Sequence, residues 1–188
     1  VYTRTKSKAL EIIDEGALWC DSVKDCVKDV KAVITMVGYP KDVEEVYFGE
    51  EGILNAAKPG TYVIDMTTTS PKLSKKIYDK AVSKGIHALD APVSGGDVGA
   101  KNATLSIMVG GDKEDYEKCL PIFKALGTNI IYEGQAGFGQ HTKMANQIAL
   151  TGVLASLCEA IAYARSVGLD VKTMLDSIST GAAGSWQM

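Results

Sequence analysis

Short apolar runs alternate with helical patterns through the first 134 residues, and this alternation constrains the fold more than any other feature. The runs are typical of β-strands and occupy residues 32–37, 61–66, 86–89, 105–109 and 129–132. Helical patterns with Pro or Asp near the start lie between most of them, at residues 40–48, 71–84 and 113–126. The connection from residue 89 to residue 105 is expected to be mostly loop. Near-continuous apolar strands predict an α/β fold with a doubly wound parallel sheet covered on both faces.

The pattern changes after Tyr132, where a glycine-rich stretch at 134–139 leads into sequence that predicts helices and no further strand. We therefore predict two domains, residues 1–134 and residues 135–188. A helix over 140–167 would be about 40 Å long at 1.5 Å per residue, long enough to join them. Its segment 145–164 carries polar residues and predicts a buried helix of a soluble protein, not a membrane span. Gly168 is expected to end this helix.

Charge and cysteine content exclude several classes of partner. The formal net charge is −3, and no basic stripe with interleaved aromatic residues is present, so we expect no nucleic-acid surface. The four cysteines form neither a Cys-x-x-Cys pair nor a Cys/His cluster, which predicts reduced thiols and no metal site. With no signal-peptide pattern at Val1, the expected location is the cytoplasm and no membrane partner is expected.

Both ends suggest a fragment of a longer enzyme. Residues 1–5 predict a strand followed directly by a helix over 6–15, and no glycine-rich phosphate loop precedes them. At the other end, residues 171–180 begin a helical pair and the chain stops at Met188. About fifty residues of helical domain close a core poorly by themselves. We expect the glycine-rich loop and further C-terminal helices to be missing.

Two motifs carry the candidate chemistry. Residues 137–147 form a glycine-broken turn and a helix in which Lys143, Asn146 and Gln147 share one face, because residues three and four apart are helical neighbours. A lysine among neutral donors can bind an anion and transfer a proton, although most such lysines are solvated surface charges. Residues 90–96, Asp-Ala-Pro-Val-Ser-Gly-Gly, follow a strand with a hydroxyl and bare amides that suit an anion, although Ser-Gly-Gly is also a common turn.

With these two motifs and the Asp-Met-Thr-Thr-Thr-Ser-Pro run at 65–71, the chain resembles the β-hydroxyacid dehydrogenases. That family includes 3-hydroxyisobutyrate dehydrogenase, tartronate semialdehyde reductase and the glyoxylate and succinic semialdehyde reductases. The resemblance covers the whole chain. It implies a Rossmann-like nucleotide domain, a helical second domain, and hydride transfer between NAD(P) and a short 3-hydroxy acid or its semialdehyde. A homodimer or homotetramer is also implied.

The resemblance assigns roles to individual residues. The position of Lys143 holds the general acid/base of the family, a task that suits a lysine whose pKa is lowered by burial. Residues matching Ser94, Gly95 and Gly96 hold the substrate carboxylate. Asn146 and Gln147 match amides that orient the substrate, in agreement with their donor inventory.

Cofactor contacts are implied at two places. Where an NAD enzyme carries an acidic residue for the ribose, this chain has Arg4 and Thr5, which favours NADP over NAD unless Arg4 is an ordinary surface charge. The resemblance also implies contacts from Val37, Gly38 and Thr68, and Gly38 departs from the proline common at its position. Asp42 is interpreted as a helix-start charge and not as a cofactor ligand.

Two other functions stay open. A decarboxylating dehydrogenase of the 6-phosphogluconate type shares the serine-glycine loop and the lysine, but Asn146 and Leu150 stand where that family has a histidine and a glutamate. A non-catalytic binding or interaction module on the dehydrogenase scaffold is the second alternative. The small residues that recur every four positions along the long helix permit close packing of another helix, within the chain or from a second subunit. They are Gly152, Ser156, Ala160 and Ala164.

Overall fold

The structure is a computed structural model that describes residues 1–188, and it divides into two compact units, Val1–Lys143 and Met144–Met188. The division falls inside the long helix. The boundary predicted at residue 134 falls at the end of the last strand, and the division into domains there stays a prediction. Each unit is described separately.

The first unit contains all six strands of the chain. They are β1 (Ala32–Thr35), β2 (Tyr62–Asp65), β3 (His87–Asp90), β4 (Val93–Ser94), β5 (Leu105–Gly110) and β6 (Gly127–Gly134). Its helices are α1 (Leu10–Asp14), α2 (Val23–Val27), α3 (Pro40–Phe48), α4 (Ile53–Ala56), α5 (Pro71–Val82), α6 (Gly96–Lys101) and α7 (Lys113–Lys124). A 3₁₀ turn at Lys6–Ala9 precedes α1. The long helix α8 (Phe138–Ser166) begins in this unit.

The six strands form one mixed sheet. β1, β2 and β3 are parallel, with Asp65 opposite Asp90 at the carboxyl ends of β2 and β3. β5 is antiparallel to β3 and to β4 on one continuous register, in which Asp90 pairs with Gly110 and Ser94 with Ser106. β6 is parallel to β5. Asp90 at the end of β3 and the strand β4 therefore pair with successive positions of the same strand, β5.

Both faces of the sheet are covered, as the apolar strand runs predict. On β2, Val63 packs into a core with Tyr47 and Ile77 from α3 and α5, whereas the next residue, Ile64, packs on the other face with Phe123 from α7. This alternation follows from the two-residue period of a strand. The Rossmann-like, doubly wound fold class is thus confirmed, with a mixed sheet in place of a fully parallel one.

Two local predictions in this unit are wrong. Residues 1–5 do not form a strand. The Val1 ammonium donates to Leu18 and the Cys20 amide to Val1, while the Lys8 amide donates to the Thr5 carbonyl as part of a turn. The connection 89–105 is not mostly loop, since it contains β4 and α6. Because α6 begins at glycines, its sequence shows no clear helical pattern. Gly95 and Gly96 adopt φ angles of 132° and 64°, which favour glycine.

The second unit consists of the rest of α8 and a short helix, α9 (Val171–Ile178), whose first turn is capped by Asp170. Gly168 ends α8 with a φ of 79°, as predicted. The expectation of a buried helix is wrong: only 11% of the most apolar 18-residue window of α8 is buried. Apolar side chains such as Ile148, Leu154 and Tyr163 are exposed because only one further short helix belongs to this unit. By length and composition alone α8 could span a membrane. One helix of this kind is weak evidence for a membrane span.

Candidate active site

Two buried aspartates occupy the adjacent carboxyl ends of β2 and β3. Asp65 accepts a hydrogen bond from the Thr35 hydroxyl at 2.9 Å and another from the Thr67 amide at 3.1 Å, both on Oδ1. Its other oxygen, Oδ2, is buried without a partner. Burial raises the pKa of Asp65 to about 6, although the hydrogen bonds from Thr67 and Thr35 act in the opposite direction. This carboxyl is therefore close to its titration point near neutral pH.

Asp90 holds the turn that starts helix α8. Its Oδ1 accepts from the Gly137 amide at 2.7 Å and its Oδ2 from the Gln140 amide at 2.9 Å. The turn can approach this closely because Gly139 and Gly110 have no side chains. A Cβ on Gly139 would lie 2.4 Å from the Met108 carbonyl oxygen, and one on Gly110 would lie 2.6 Å from Asp90 Oδ1. Burial raises the pKa of Asp90 against the lowering effect of these backbone hydrogen bonds.

Lys143 lies one turn beyond this anchored start and is 8% exposed. Burial lowers the pKa of its ammonium group, and no neighbouring carboxylate acts in the opposite direction. A buried lysine without a fixed counter-charge is free to pair with a ligand anion and to release its proton more readily than a surface lysine. The structure therefore gives Lys143 the environment that an acid/base group needs.

The serine-glycine loop leaves the same edge of the sheet. Ser94 is half-buried at the end of β4, and Gly95 and Gly96 are exposed. A Cβ on Gly96 would meet no atom within 4 Å, so open space lies beside it. The glycine conformations expose backbone there without a covering side chain, as anion binding by backbone amides requires.

Three predicted cofactor residues lie at the carboxyl ends of β1 and β2. Gly38 and Thr68 are exposed and Val37 is half-buried. The Val37 amide donates to Thr67 Oγ1 at 3.0 Å, which joins the two loops. Ligands of doubly wound sheets bind at such carboxyl ends, and the bare backbone at Gly38 leaves room for one. These residues fit a dinucleotide.

Arg4 and Thr5 lie in the segment before the 3₁₀ turn, both exposed. Arg4 donates to Asp42 Oδ1 at 3.1 Å, while its side chain stays 71% exposed. Asp42 Oδ2 accepts from the Tyr39 amide at 3.0 Å and so caps the start of α3. The interpretation of Asp42 as a helix-start charge is confirmed, and this carboxylate also holds Arg4 beside the end of β1.

Asn146 and Gln147 belong to the second unit. Both are half-buried, and Asn146 Nδ2 donates to Gln147 Oε1 at 2.9 Å. Their predicted role toward a substrate stays a prediction.

Sequence reasoning missed Gln140, whose side chain is buried and bonded to the backbone of Thr67 and Thr69. Asp65 and Asp90 were identified only as members of sequence motifs, without a role of their own. The sequence contains one signal for these two aspartates, because each ends an apolar strand run. The ends of neighbouring parallel strands meet at one edge of the sheet, so the two carboxylates are expected to lie close together there. Nothing in the sequence indicated that Gln140 turns inward.

Comparison with known proteins agrees with this geometry. The family model described as the NAD binding domain of 6-phosphogluconate dehydrogenase matches residues 1–134. A second model, described as NAD-binding of NADP-dependent 3-hydroxyisobutyrate dehydrogenase, matches residues 137–188. Both descriptions name NAD binding, in agreement with a Rossmann-like unit that runs into a long helix.

Three relatives illustrate the similarity. The uncharacterized oxidoreductase YkwC of Bacillus subtilis (strain 168) is 59% identical over all of this chain, which covers 65% of that protein. The NAD-dependent L-serine dehydrogenase of Pseudomonas aeruginosa PAO1 is 35% identical over all of this chain and is covered to 63%. The structure of Mycobacterium tuberculosis 3-hydroxyisobutyrate dehydrogenase with L-serine is 32% identical, with a TM-score of 0.86 over 97% of this chain and 62% of that one.

The chain belongs to the β-hydroxyacid dehydrogenase family, that of 3-hydroxyisobutyrate dehydrogenase. It spans just under two thirds of the length of the Bacillus and Pseudomonas relatives. The two models that match it are both described as NAD-binding.

Proposed function

We propose that this chain is part of an enzyme that interconverts a short 3-hydroxy acid and its semialdehyde, with Lys143 as general acid/base and NADP preferred to NAD. The observation that carries the proposal is the buried, unpaired Lys143 one turn after a helix start fixed by Asp90. The Pseudomonas and Mycobacterium relatives, whose names include L-serine dehydrogenase and 3-hydroxyisobutyrate dehydrogenase, support the substrate class.

Each group of residues has a separate role in the proposed reaction. The nicotinamide dinucleotide, when bound, supplies or accepts the hydride. Val37, Gly38 and Thr68 would hold it at the carboxyl ends of β1 and β2. Ser94 and the exposed backbone of Gly95 and Gly96 would bind the substrate carboxylate, and Asn146 and Gln147 would orient the substrate. In the reducing direction Lys143 Nζ gives its proton to the carbonyl oxygen, and in the oxidising direction it takes the hydroxyl proton.

Burial helps Lys143 in both directions. A lowered pKa brings the proton affinity of the amine closer to the working pH, where donation and acceptance are both efficient. The charged form also stabilises negative charge that develops on the substrate oxygen, and this effect is stronger where water is excluded.

NADP preference rests on Arg4. Asp42 orients the guanidinium beside the end of β1 while leaving most of the side chain in solvent, where it can meet a 2′-phosphate. The description of the model that matches residues 137–188 names an NADP-dependent enzyme, whereas the Pseudomonas relative is named as NAD-dependent. We propose a homodimer or homotetramer on the strength of the exposed apolar side chains of α8.

A substrate and cofactor panel on the full-length protein tests this function. It comprises 3-hydroxyisobutyrate, L-serine, glycerate with tartronate semialdehyde, glyoxylate and succinic semialdehyde, each with NADP and with NAD. We expect turnover of at least one 3-hydroxy acid and a higher kcat/KM with NADP. Release of carbon dioxide from 6-phosphogluconate would favour the decarboxylating alternative. Dinucleotide binding without any turnover would favour the non-catalytic module.

A further inference from the structure

Gln140 is 1% exposed, and each polar atom of its carboxamide takes part in one hydrogen bond. Oε1 accepts from the Thr69 amide at 2.9 Å, and Nε2 donates to the Thr67 carbonyl at 2.7 Å. A backbone N–H can only donate and a carbonyl can only accept, so the carboxamide has a single satisfied orientation. Its two bonds reach a segment about seventy residues earlier in the chain.

The backbone of Gln140 is fixed as firmly as its side chain. Its amide donates to Asp90 Oδ2 at the end of β3. The preceding residue, Gly139, lies where a Cβ would be 2.8 Å from the Asp90 carbonyl oxygen. Gln140 therefore joins two strand ends at the start of helix α8, that of β2 through its side chain and that of β3 through its backbone.

The segment that Gln140 holds contains Thr68, one of the proposed cofactor contacts. Because the nicotinamide exchanges hydride at the substrate carbon whose oxygen Lys143 serves, we assign the contact that is tied to the Lys143 helix to the nicotinamide half. Thr67 and Thr69 are buried and bonded to Gln140, whereas Thr68 between them is exposed. Lys143 follows Gln140 by three residues on the same helix, which is about one turn. The Gln140 carboxamide thus connects two elements, the loop that carries Thr68 and the helix that carries Lys143.

We propose that Gln140 is a positioning residue that sets the nicotinamide half of the cofactor relative to Lys143. It is buried beneath the loop and acts through Thr68 and Lys143, without contact to cofactor or substrate. The inference rests on the proposed function, in which Thr68 contacts the cofactor and Lys143 the reacting oxygen. It goes further by assigning a role to a buried residue outside the predicted site.

A purely structural role and a positioning role predict different effects on cofactor binding. If Gln140 only supports the fold, its loss lowers stability and leaves the affinity of the folded protein for all cofactor fragments unchanged. If Gln140 positions the Thr67–Thr69 loop, its loss weakens contacts to the nicotinamide half and spares those to the adenosine half, where the proposed function places Arg4.

The test uses the full-length protein with Gln140→Leu, which keeps approximate side-chain size and removes both hydrogen bonds. Gln135→Leu is the matched control, since Gln135 is exposed in the same turn. Calorimetry measures binding of the preferred dinucleotide and of the same cofactor cut back to its ADP-ribose part. For Gln140→Leu we expect about tenfold weaker dinucleotide binding, which corresponds to about 1.4 kcal/mol of binding free energy. Binding of the ADP-ribose part should match wild type and control.

A second variant, Gln140→Glu, keeps the shape and keeps the test valid if the leucine variant fails to fold. The ionised carboxylate still accepts from Thr69 but has no donor for the Thr67 carbonyl. Its protonated form has an O–H donor and can restore the bond. We therefore expect kcat/KM of Gln140→Glu, divided by that of wild type, to rise as the pH falls. Gln135→Glu should show no such rise.

Equal affinity of Gln140→Leu and Gln135→Leu for the whole dinucleotide, in a wild-type protein that binds it, would overturn the positioning role and leave the proposed function intact. A parallel loss for dinucleotide and ADP-ribose part, or a pH-independent activity ratio for Gln140→Glu, would also overturn it. Absence of dinucleotide binding by the full-length wild-type protein would overturn both the positioning role and the proposed function.

Discussion

The ends of β2 and β3 carry the same residue at the same level of the sheet but use it differently. Asp90 has both oxygens engaged by backbone amides of the turn before α8. Asp65 has one oxygen engaged and the other buried without a partner. A small cavity of about 10 Å³ lies between these strand ends and α5, lined by Asp65, Asp90 and the unpartnered Ser74.

Burial raises the pKa of both carboxylates, so the difference between them is that one anchors the turn and the other lacks full compensation by hydrogen bonds. Asp90 is an anchor because two buried N–H groups would lose their only acceptor without it. Asp65 is poorly compensated, so burial raises its pKa to about 6 and its charged form is disfavoured in the folded state. Identical side chains in paired positions are therefore expected to respond differently to substitution.

The largest effect is expected for Asp90→Ala. The substitution leaves the Gly137 and Gln140 amides buried and unpaired, at about 1–3 kcal/mol for each group. We expect the free energy of unfolding of the full-length protein to fall by about 4 kcal/mol in a urea titration. Asp14→Ala, an exposed aspartate at the end of α1, is the control and should change it by less than about 0.5 kcal/mol. Similar losses in the two variants would refute the anchoring role.

The next effect concerns Asp65→Asn and depends on pH. Because the folded pKa of about 6 lies above the ordinary value of 3.8, the folded state keeps this proton while the unfolded state loses it. The contribution of Asp65 to stability is therefore fully present below about pH 4 and is lost as the pH rises through about 6. The loss amounts to about 3 kcal/mol at 1.36 kcal/mol per pKa unit.

Asparagine cannot titrate, so the stability of Asp65→Asn relative to wild type should increase between about pH 4 and pH 6 and then stay constant. Urea titrations of both proteins at half-unit pH steps measure this difference. A difference that stays flat across that range would show that Asp65 titrates in the folded protein as it does in the unfolded one.

The smallest effect is expected at the ion pair of Arg4 and Asp42, in which the carboxylate is buried but the guanidinium is 71% exposed. Arg4→Ala should lower stability by less than about 1 kcal/mol, because solvent screens the exposed guanidinium and Asp42 keeps its hydrogen bond from the Tyr39 amide. It should raise the KM for NADP about tenfold, as expected for losing a charge-assisted hydrogen bond of about 1.5 kcal/mol. The KM for NAD should change little. Equal changes for the two cofactors would remove the argument for a 2′-phosphate contact.

The alternation of strands and helices and the two-sided core follow from patterns that a sequence displays. Val63 and Ile64 read as one apolar run, and only a strand covered on both faces buries both of them. The bounds of α3 were predicted exactly, because Pro40 at its start and Gly49 after its end are strong local signals. Asp42 was also interpreted correctly from its place in the first turn.

Features that depend on contacts distant in the chain could not be predicted. Nothing local distinguishes a buried Gln140 from an exposed Gln135 in the same turn, since the partners of Gln140 lie about seventy residues away. Helix α6 starts at glycines, which have low helix propensity, so its formation depends on contacts with the rest of the fold more than on its local sequence. The apolar pattern of α8 correctly indicated a helix, but apolar side chains do not state what covers them, and in this chain most stay exposed.

The central claim is that Lys143 transfers the proton, and the turnover of Lys143→Arg in the full-length protein tests it most directly. Arginine keeps the positive charge but does not release its proton at working pH. The account predicts that kcat falls about 10²- to 10⁴-fold, the usual contribution of a general acid/base, while dinucleotide affinity is retained. Lys124→Arg, at an exposed lysine of α7, should keep wild-type turnover. A Lys143→Arg variant that retained most of its kcat would contradict the claim.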